Sequence, residues 1–153
     1  MPEPASARKG GIVIIRIDQS SAEPLYLQIR TQIIAAIARD DLKPRMQLPS
    51  VRILARDLGI NLHTVNKAYA VLRDEGYLVM RGRSGAMIAD PADTLIATKG
   101  EAAANKMDEE IFALALAHRA RGGTKEDFLE HAAQQAGQAF IETSSTTKTE
   151  GAE

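Results

Sequence analysis

The stretch Gln47–Gly85, QLPSVRILARDLGINLHTVNKAYAVLRDEGYLVMRGRSG, constrains the fold more than any other part of the chain. Ser50 is a helix N-cap followed by Val51, Leu54, Ala55 and Leu58, apolar residues at helical spacing. Gly59 ends that helix, and Asn61 is placed to cap the next. In the next helix Val65, Ala68, Tyr69 and Leu72 line one face, and Gly76 stops it. Two apolar runs, Tyr77–Met80 and Ala86–Ala89, then flank the basic, glycine-bearing tip Arg81-Gly82-Arg83-Ser84-Gly85. Helix, glycine turn, helix and hairpin in this order describe a winged helix-turn-helix. That arrangement delivers one helix to a DNA major groove and a basic loop to the adjacent backbone or minor groove.

The flanking segments extend the pattern. Residues 1–11 are small, Pro-bearing and basic, and read as a disordered leader without an apolar signal core. Residues 12–17 are rich in β-branched residues and read as a strand. Pro24 suits the start of a helix over about 24–40, with Leu25, Ile29, Ile33 and Ile37 at helical spacing. Pro44 breaks it, and 43–49 reads as a loop. Asp90-Pro91-Ala92-Asp93 marks the expected domain boundary. Beyond it, a helix is expected over about 102–121, carrying Met107, Ile111, Leu114 and His118 on one stripe. A second follows Gly122-Gly123, capped by Thr124 with Asp127 three residues on, and carries Phe128, Ala132, Ala136 and Phe140. Residues 143–153 are polar and Ser/Thr-rich and read as a disordered tail. The fold class expected is mainly α with a small β-hairpin. It divides into a winged helix-turn-helix at 12–91 and a two-helix appendage at 92–142.

Charge separates the same two parts. The net charge of −1 is a poor omen for a DNA binder. Residues 12–91, however, hold 11 Lys and Arg against 8 Asp and Glu, whereas residues 92–153 hold 6 against 11. Counterion release at phosphates depends on local positive charge, which the helix-turn-helix part has. A composition 44% apolar and 25% charged fits a globular chain rather than a disordered one. No run is apolar enough to span a bilayer, so no membrane partner and a cytoplasmic location are expected. With no cysteine there is no disulfide, thiolate metal site or cysteine nucleophile.

The run Leu48-Pro49-Ser50-x-Arg52-x-Leu54-Ala55-x-x-Leu58-Gly59-Ile60-Asn61-x-x-Thr64-Val65-x-x-Ala68-Tyr69-x-x-Leu72-x-x-Glu75-Gly76 resembles the DNA-binding domain of the GntR family of bacterial transcriptional regulators. The upstream Pro24-Leu25-Tyr26-x-Gln28-Ile29 resembles it too, so the likeness covers roughly residues 12–90. Only a short helical segment follows the wing, which resembles the YtrA-type subfamily, whose short appendage serves as a dimerisation element. The resemblance implies a homodimeric regulator, a repressor by expectation, reading double-stranded DNA at an inverted-repeat operator. It implies no cofactor: the aminotransferase-fused members are far longer, so no pyridoxal phosphate is expected. The chain departs from many members at Leu62 and Asn66, positions often held by Arg.

The expected DNA-binding residues are Arg52, His63, Thr64, Asn66, Lys67, Arg81, Gly82 and Arg83. Arg52 lies in the first turn of its helix, where a guanidinium can take a phosphate or a guanine edge bidentately. On the next helix Asn66 suits adenine, Lys67 a guanine or a phosphate, and Thr64 a phosphate. In the wing, Gly82 allows close backbone approach, and Arg81 and Arg83 suit a narrow, negative groove. Each has a plainer alternative: a solvated Arg52, a capping Thr64, a His63 merely exposed at a helix start, a hairpin tip that keeps an edge soluble. Tyr69 and Tyr77 fall in the apolar pattern and are expected to pack rather than stack on bases. The dimerisation residues expected are Ile111, Leu114, Phe128, Ala132 and Phe140, forming a four-helix cluster with a second copy. His118 and His131 lack a metal-ligand spacing, and no metal is expected. A small-molecule effector stays open, although the appendage reads as too small for a roomy pocket. Two other classes compete. A protein-docking adaptor is disfavoured by the like-charged reading face, and an enzyme by the lack of any nucleophile, metal or phosphate-loop constellation.

Overall fold

A computed structural model describes residues 5–7, 15–82 and 85–141. Its elements are β1 (Ala5–Ala7), β2 (Ile15–Ile17), α1 (Leu25–Ala38), α2 (Val51–Leu58), α3 (Leu62–Asp74), β3 (Leu78–Met80), β4 (Ala86–Ile88), α4 (Thr94–Ala120) and α5 (Lys125–Ala139). Two compact units result, Met1–Asp108 and Glu109–Glu153.

In the first unit, the apolar faces of three short helices close on one core. Ile29 and Ile33 from α1, Leu54 and Leu58 from α2, and Val65, Ala68, Tyr69 and Leu72 from α3 are buried together. β2 covers them with Ile15 and Ile17, and the hairpin with Leu78, Ala86 and Ile88. The period of 3.6 in the helices and of 2 in β2 and β4 puts these residues on single faces. Both predicted caps form: Ser50 Oγ accepts from Ile53 N–H at 3.3 Å and Asn61 Oδ1 from His63 N–H at 2.8 Å. Gly59 ends α2 at φ +65°, a left-handed conformation that a Cβ would disfavour.

Polar bonds fix the connections. The buried Gln28 amide bridges the turn before its own helix: its Nε2 donates to the carbonyls of Asp18 and Glu23, both at 2.9 Å, and its Oε1 accepts from Asp18 N–H at 2.9 Å. A buried amide with three partners costs little to desolvate and holds the turn in one shape. Gln32 does the same along β2, bonding both backbone groups of Arg16 at 2.7 and 2.8 Å. The Arg30 guanidinium grips the Glu75 carboxylate at 2.6–3.1 Å, tying α1 to the end of α3.

Three sequence expectations change. Ala5–Ala7, expected in a disordered leader, pairs antiparallel with Ile15–Ile17; the rest of residues 1–14 and residues 142–153 lie outside the described residues. Residues 43–49, read as a loop, add a third edge to the wing: Gln47 bridges Met87, Leu48 N–H donates to Ala86 O at 2.9 Å, and Ile88 N–H to Met46 O at 2.8 Å. The prolines at 44 and 49 hid this, because they flag turns without showing that the backbone between them is free to pair. The first appendage helix begins at Thr94, not near 102, and runs on through the division between the compact units at Asp108/Glu109. Lys99 lies in that added stretch: its Nζ donates at 2.8 Å to Arg73 O, a carbonyl at the end of α3 that also accepts Gly76 N–H at 3.0 Å.

In the second unit, Thr124 Oγ1 accepts from Asp127 N–H at 3.2 Å and starts α5 as expected. The His118 ring stands 5.9 Å from Phe128 and 6.5 Å from His131. A cleft of about 360 Å³ lies beside it, lined by Ala115, Arg119, Thr124, Lys125 and Phe128 among others.

Candidate nucleic-acid interface

Arg52 stands in the first turn of α2, and three constraints meet just before it. Ser50 caps the helix, Leu48 is bonded to the wing, and the carbonyl of Pro49 accepts the Tyr69 hydroxyl at 2.8 Å. The turn that carries Arg52 is therefore fixed to both the hairpin and the middle of α3. The Arg52 side chain is exposed and, among the described residues, makes no hydrogen bond or ion pair. One turn later Arg56 is also exposed but stays beside Asp57 at 3.4 Å. An uncommitted guanidinium on a fixed turn is suited to an external anion or base edge.

α3 presents two chemically different faces. Val65, Ala68, Tyr69 and Leu72 are buried, while His63, Asn66 and Lys67 are exposed and Thr64 is half-buried. His63 and Lys67 are one turn apart and Asn66 lies between them, so the three share the open face. Their side chains are unequal in freedom. Lys67 Nζ sits 4.0 Å above the centroid of the Tyr26 ring of α1, whereas His63 and Asn66 carry no side-chain bond among the described residues. Leu62 is 38% exposed at the helix start and offers the groove only an apolar contact.

At the wing tip, Arg81 N–H donates to Gly85 O at 2.9 Å and closes the turn, leaving the Arg81 side chain exposed. Gly82 adopts φ +50° with open space where a Cβ would stand, so backbone can approach a groove there. Arg83 lies outside the described residues.

Two tyrosines also shape the site: Tyr26, assigned no role of its own from the sequence, and Tyr69, expected only to pack. Tyr26 is the cation–π seat of Lys67, and Tyr69 is the strut beneath Arg52. The spacing of apolar residues shows that a tyrosine is inward but not where its ring edge or hydroxyl arrives. Burial raises the Tyr69 pKa, since the phenolate would sit in an apolar core. The unfolded chain ionises this group near pH 10. The stability from the neutral hydroxyl is therefore complete below about pH 10 and lost as pH rises beyond it. Tyr69→Phe is expected to cost about 1 kcal/mol at neutral pH by deleting the bond to Pro49. It should also flatten the fall in urea midpoint as pH rises above about 10. A variant that loses stability above pH 10 in parallel with the parent would contradict this role.

Comparison with known proteins agrees with the geometry. The model of bacterial regulatory proteins, gntR family, matches residues 25–88, from the start of α1 to the end of β4. The HTH-type transcriptional regulator Rv1152 of Mycobacterium tuberculosis is 39% identical over 85 residues, which span 54% of this chain and 70% of that protein. The chain belongs to the GntR family. It is a DNA-binding transcriptional regulator, in a family of regulators rather than enzymes. The HTH-type transcriptional repressor YtrA of Bacillus subtilis is 40% identical over 84 residues, 54% of this chain and 64% of that one. Among solved structures, YtrA from Sulfolobus acidocaldarius, a GntR-family transcription factor, superposes with a TM-score of 0.53 at 40% identity, over 67% of this chain and 97% of the other. The winged helix is thus a DNA-reading module, and the protein-docking alternative falls away. Among the described residues no helix is long and apolar enough to cross a membrane.

Proposed function

We propose that this GntR-family regulator is a cytoplasmic homodimer that represses transcription from an inverted-repeat operator, with half-sites about one helical turn apart. Arg52 and the open face of α3 read each half-site, and Arg81, Gly82 and Arg83 reach the flanking backbone or minor groove. Ile111, Leu114, Phe128, Ala132 and Phe140 join the two copies. The observation that carries the dimer is where the burial stops. Every buried residue among those described lies between Ile15 and Ala89, and α5 buries none. Ile111 is 45% exposed, Leu114 63% and Phe140 83%, more apolar surface than a lone helical pair leaves to water. Repression is supported by the name of the Bacillus relative. A small effector, if one acts, has the cleft beside His118 available.

Selection of duplexes from a randomised pool, followed by anisotropy titrations at several salt concentrations, tests the reading. The expected product is two inverted half-sites bound by two chains. Affinity should exceed that for random duplex by at least about 10³, with a steep fall in salt. A single recovered half-site would remove the dimeric operator. Equal affinity for selected and random duplexes would remove sequence-specific reading.

A further inference from the structure

Lys67 is the one cation on the open face of α3 between His63 and Ala70, and its ammonium is not free to search a groove floor. It lies 4.0 Å over the ring of Tyr26, in the first turn of α1. Tyr26 is itself half-buried and packed against the core, so it does not move with the lysine. An ammonium seated on an aromatic face keeps its outward N–H groups available, but its reach is shortened to the flank of the helix nearest α1. Base edges lie at the groove floor, whereas phosphates line its rim. A lysine acts on phosphate as a point charge, for which being held in place is an advantage and long reach is not.

From this we propose that Tyr26 is a positioning residue that fixes Lys67 as a phosphate anchor, and that Lys67 does not read a base. The inference rests on Lys67 touching DNA, as in the function proposed above. Direct readout on this helix then falls to His63 and Asn66, and Lys67 contributes affinity that is the same for every sequence. A cation–π seat at a partly exposed site is worth about two- to fivefold in an equilibrium constant. That is the size of effect Tyr26 should have on DNA binding.

The test uses the full chain, one 30-bp duplex recovered by selection and one 30-bp random duplex, with anisotropy read across a salt series. Lys67→Gln should weaken both duplexes by a similar factor and reduce the log–log salt slope by about 1. Tyr26→Leu should weaken both by about two- to fivefold, and should add nothing in the Lys67→Gln background. Tyr26→Phe keeps the ring and should bind like the parent, which separates the ring from any loss of fold in Tyr26→Leu. If Lys67→Gln weakens only the selected duplex, Lys67 reads a base and the proposal is overturned while the DNA-contact reading survives. If Lys67→Gln changes neither duplex, both fail. If the Tyr26→Leu and Lys67→Gln losses multiply, Tyr26 acts independently of Lys67 and the positioning role is overturned.

Discussion

Arg52→Ala is expected to weaken binding to a selected operator duplex by about 10- to 100-fold, the range of one lost bidentate contact. Arg56→Ala should change it by less than about threefold. The two arginines sit one turn apart on the same eight-residue helix, so they share local propensity and net charge. They differ in commitment. Arg56 lies beside Asp57 at 3.4 Å with 71% of its side chain exposed, an arrangement worth little to either stability or binding. Arg52 has no such partner among the described residues, and its turn is fixed by the Tyr69 bond to Pro49 and the Leu48 bond to the wing. Little side-chain or loop freedom remains to be lost when it meets DNA. The random duplex divides the two possible contacts. A loss confined to the selected duplex means that Arg52 reads guanine, and an equal loss on both means phosphate. Losses that are small and equal for Arg52→Ala and Arg56→Ala would take Arg52 out of the interface.

That contrast also shows what the sequence could and could not disclose. The helix-turn-helix was legible because its signals are local. Ser50 and Asn61 cap, Gly59 turns, and Val65, Ala68, Tyr69 and Leu72 repeat at helical spacing. Each acts within a few residues, and each appears in the structure where it was expected. Bonds between segments distant in sequence were not legible. Nothing in the spacing around Gln28 marks it as inward, yet it is buried and holds the turn before α1. Lys99 lies beyond the expected boundary, yet it bonds a carbonyl at the end of α3. Gln47 lay between two prolines and still joined the wing. In the candidate site, the exposed residues of α3 could be named from periodicity, because whatever is not on the apolar face is open. That Tyr26 holds one of them depends on the approach of α1 to α3, which no spacing within either helix encodes.

Ile111→Glu together with Leu114→Glu in the full chain is expected to turn a dimer into a monomer by light scattering while leaving the thermal transition of the first unit within a few degrees. The core explains the second half of that expectation. Its buried residues run from Ile15 to Ala89, and nothing in α5 contributes to it. Both substituted positions are already exposed in the single chain, so no buried charge is created within it. In a dimer the same carboxylates would lie in an apolar seam opposite their own copies. An unpaired buried charge there costs several kcal/mol. The effect on DNA should be larger than any single contact could give. Two linked reading units bind an inverted repeat about 10²- to 10⁴-fold more tightly than one, because the second half-site is met at high effective concentration. The double variant should therefore lose about that factor on a selected inverted repeat and little on an isolated half-site. A chain ending at Asp108 should behave in the same way, and it retains the Lys99 bond to α3 that an earlier cut at Pro91 would remove. If the double variant and the shortened chain both remain dimers, the seam lies in the winged helix, and α4 and α5 must meet some other surface.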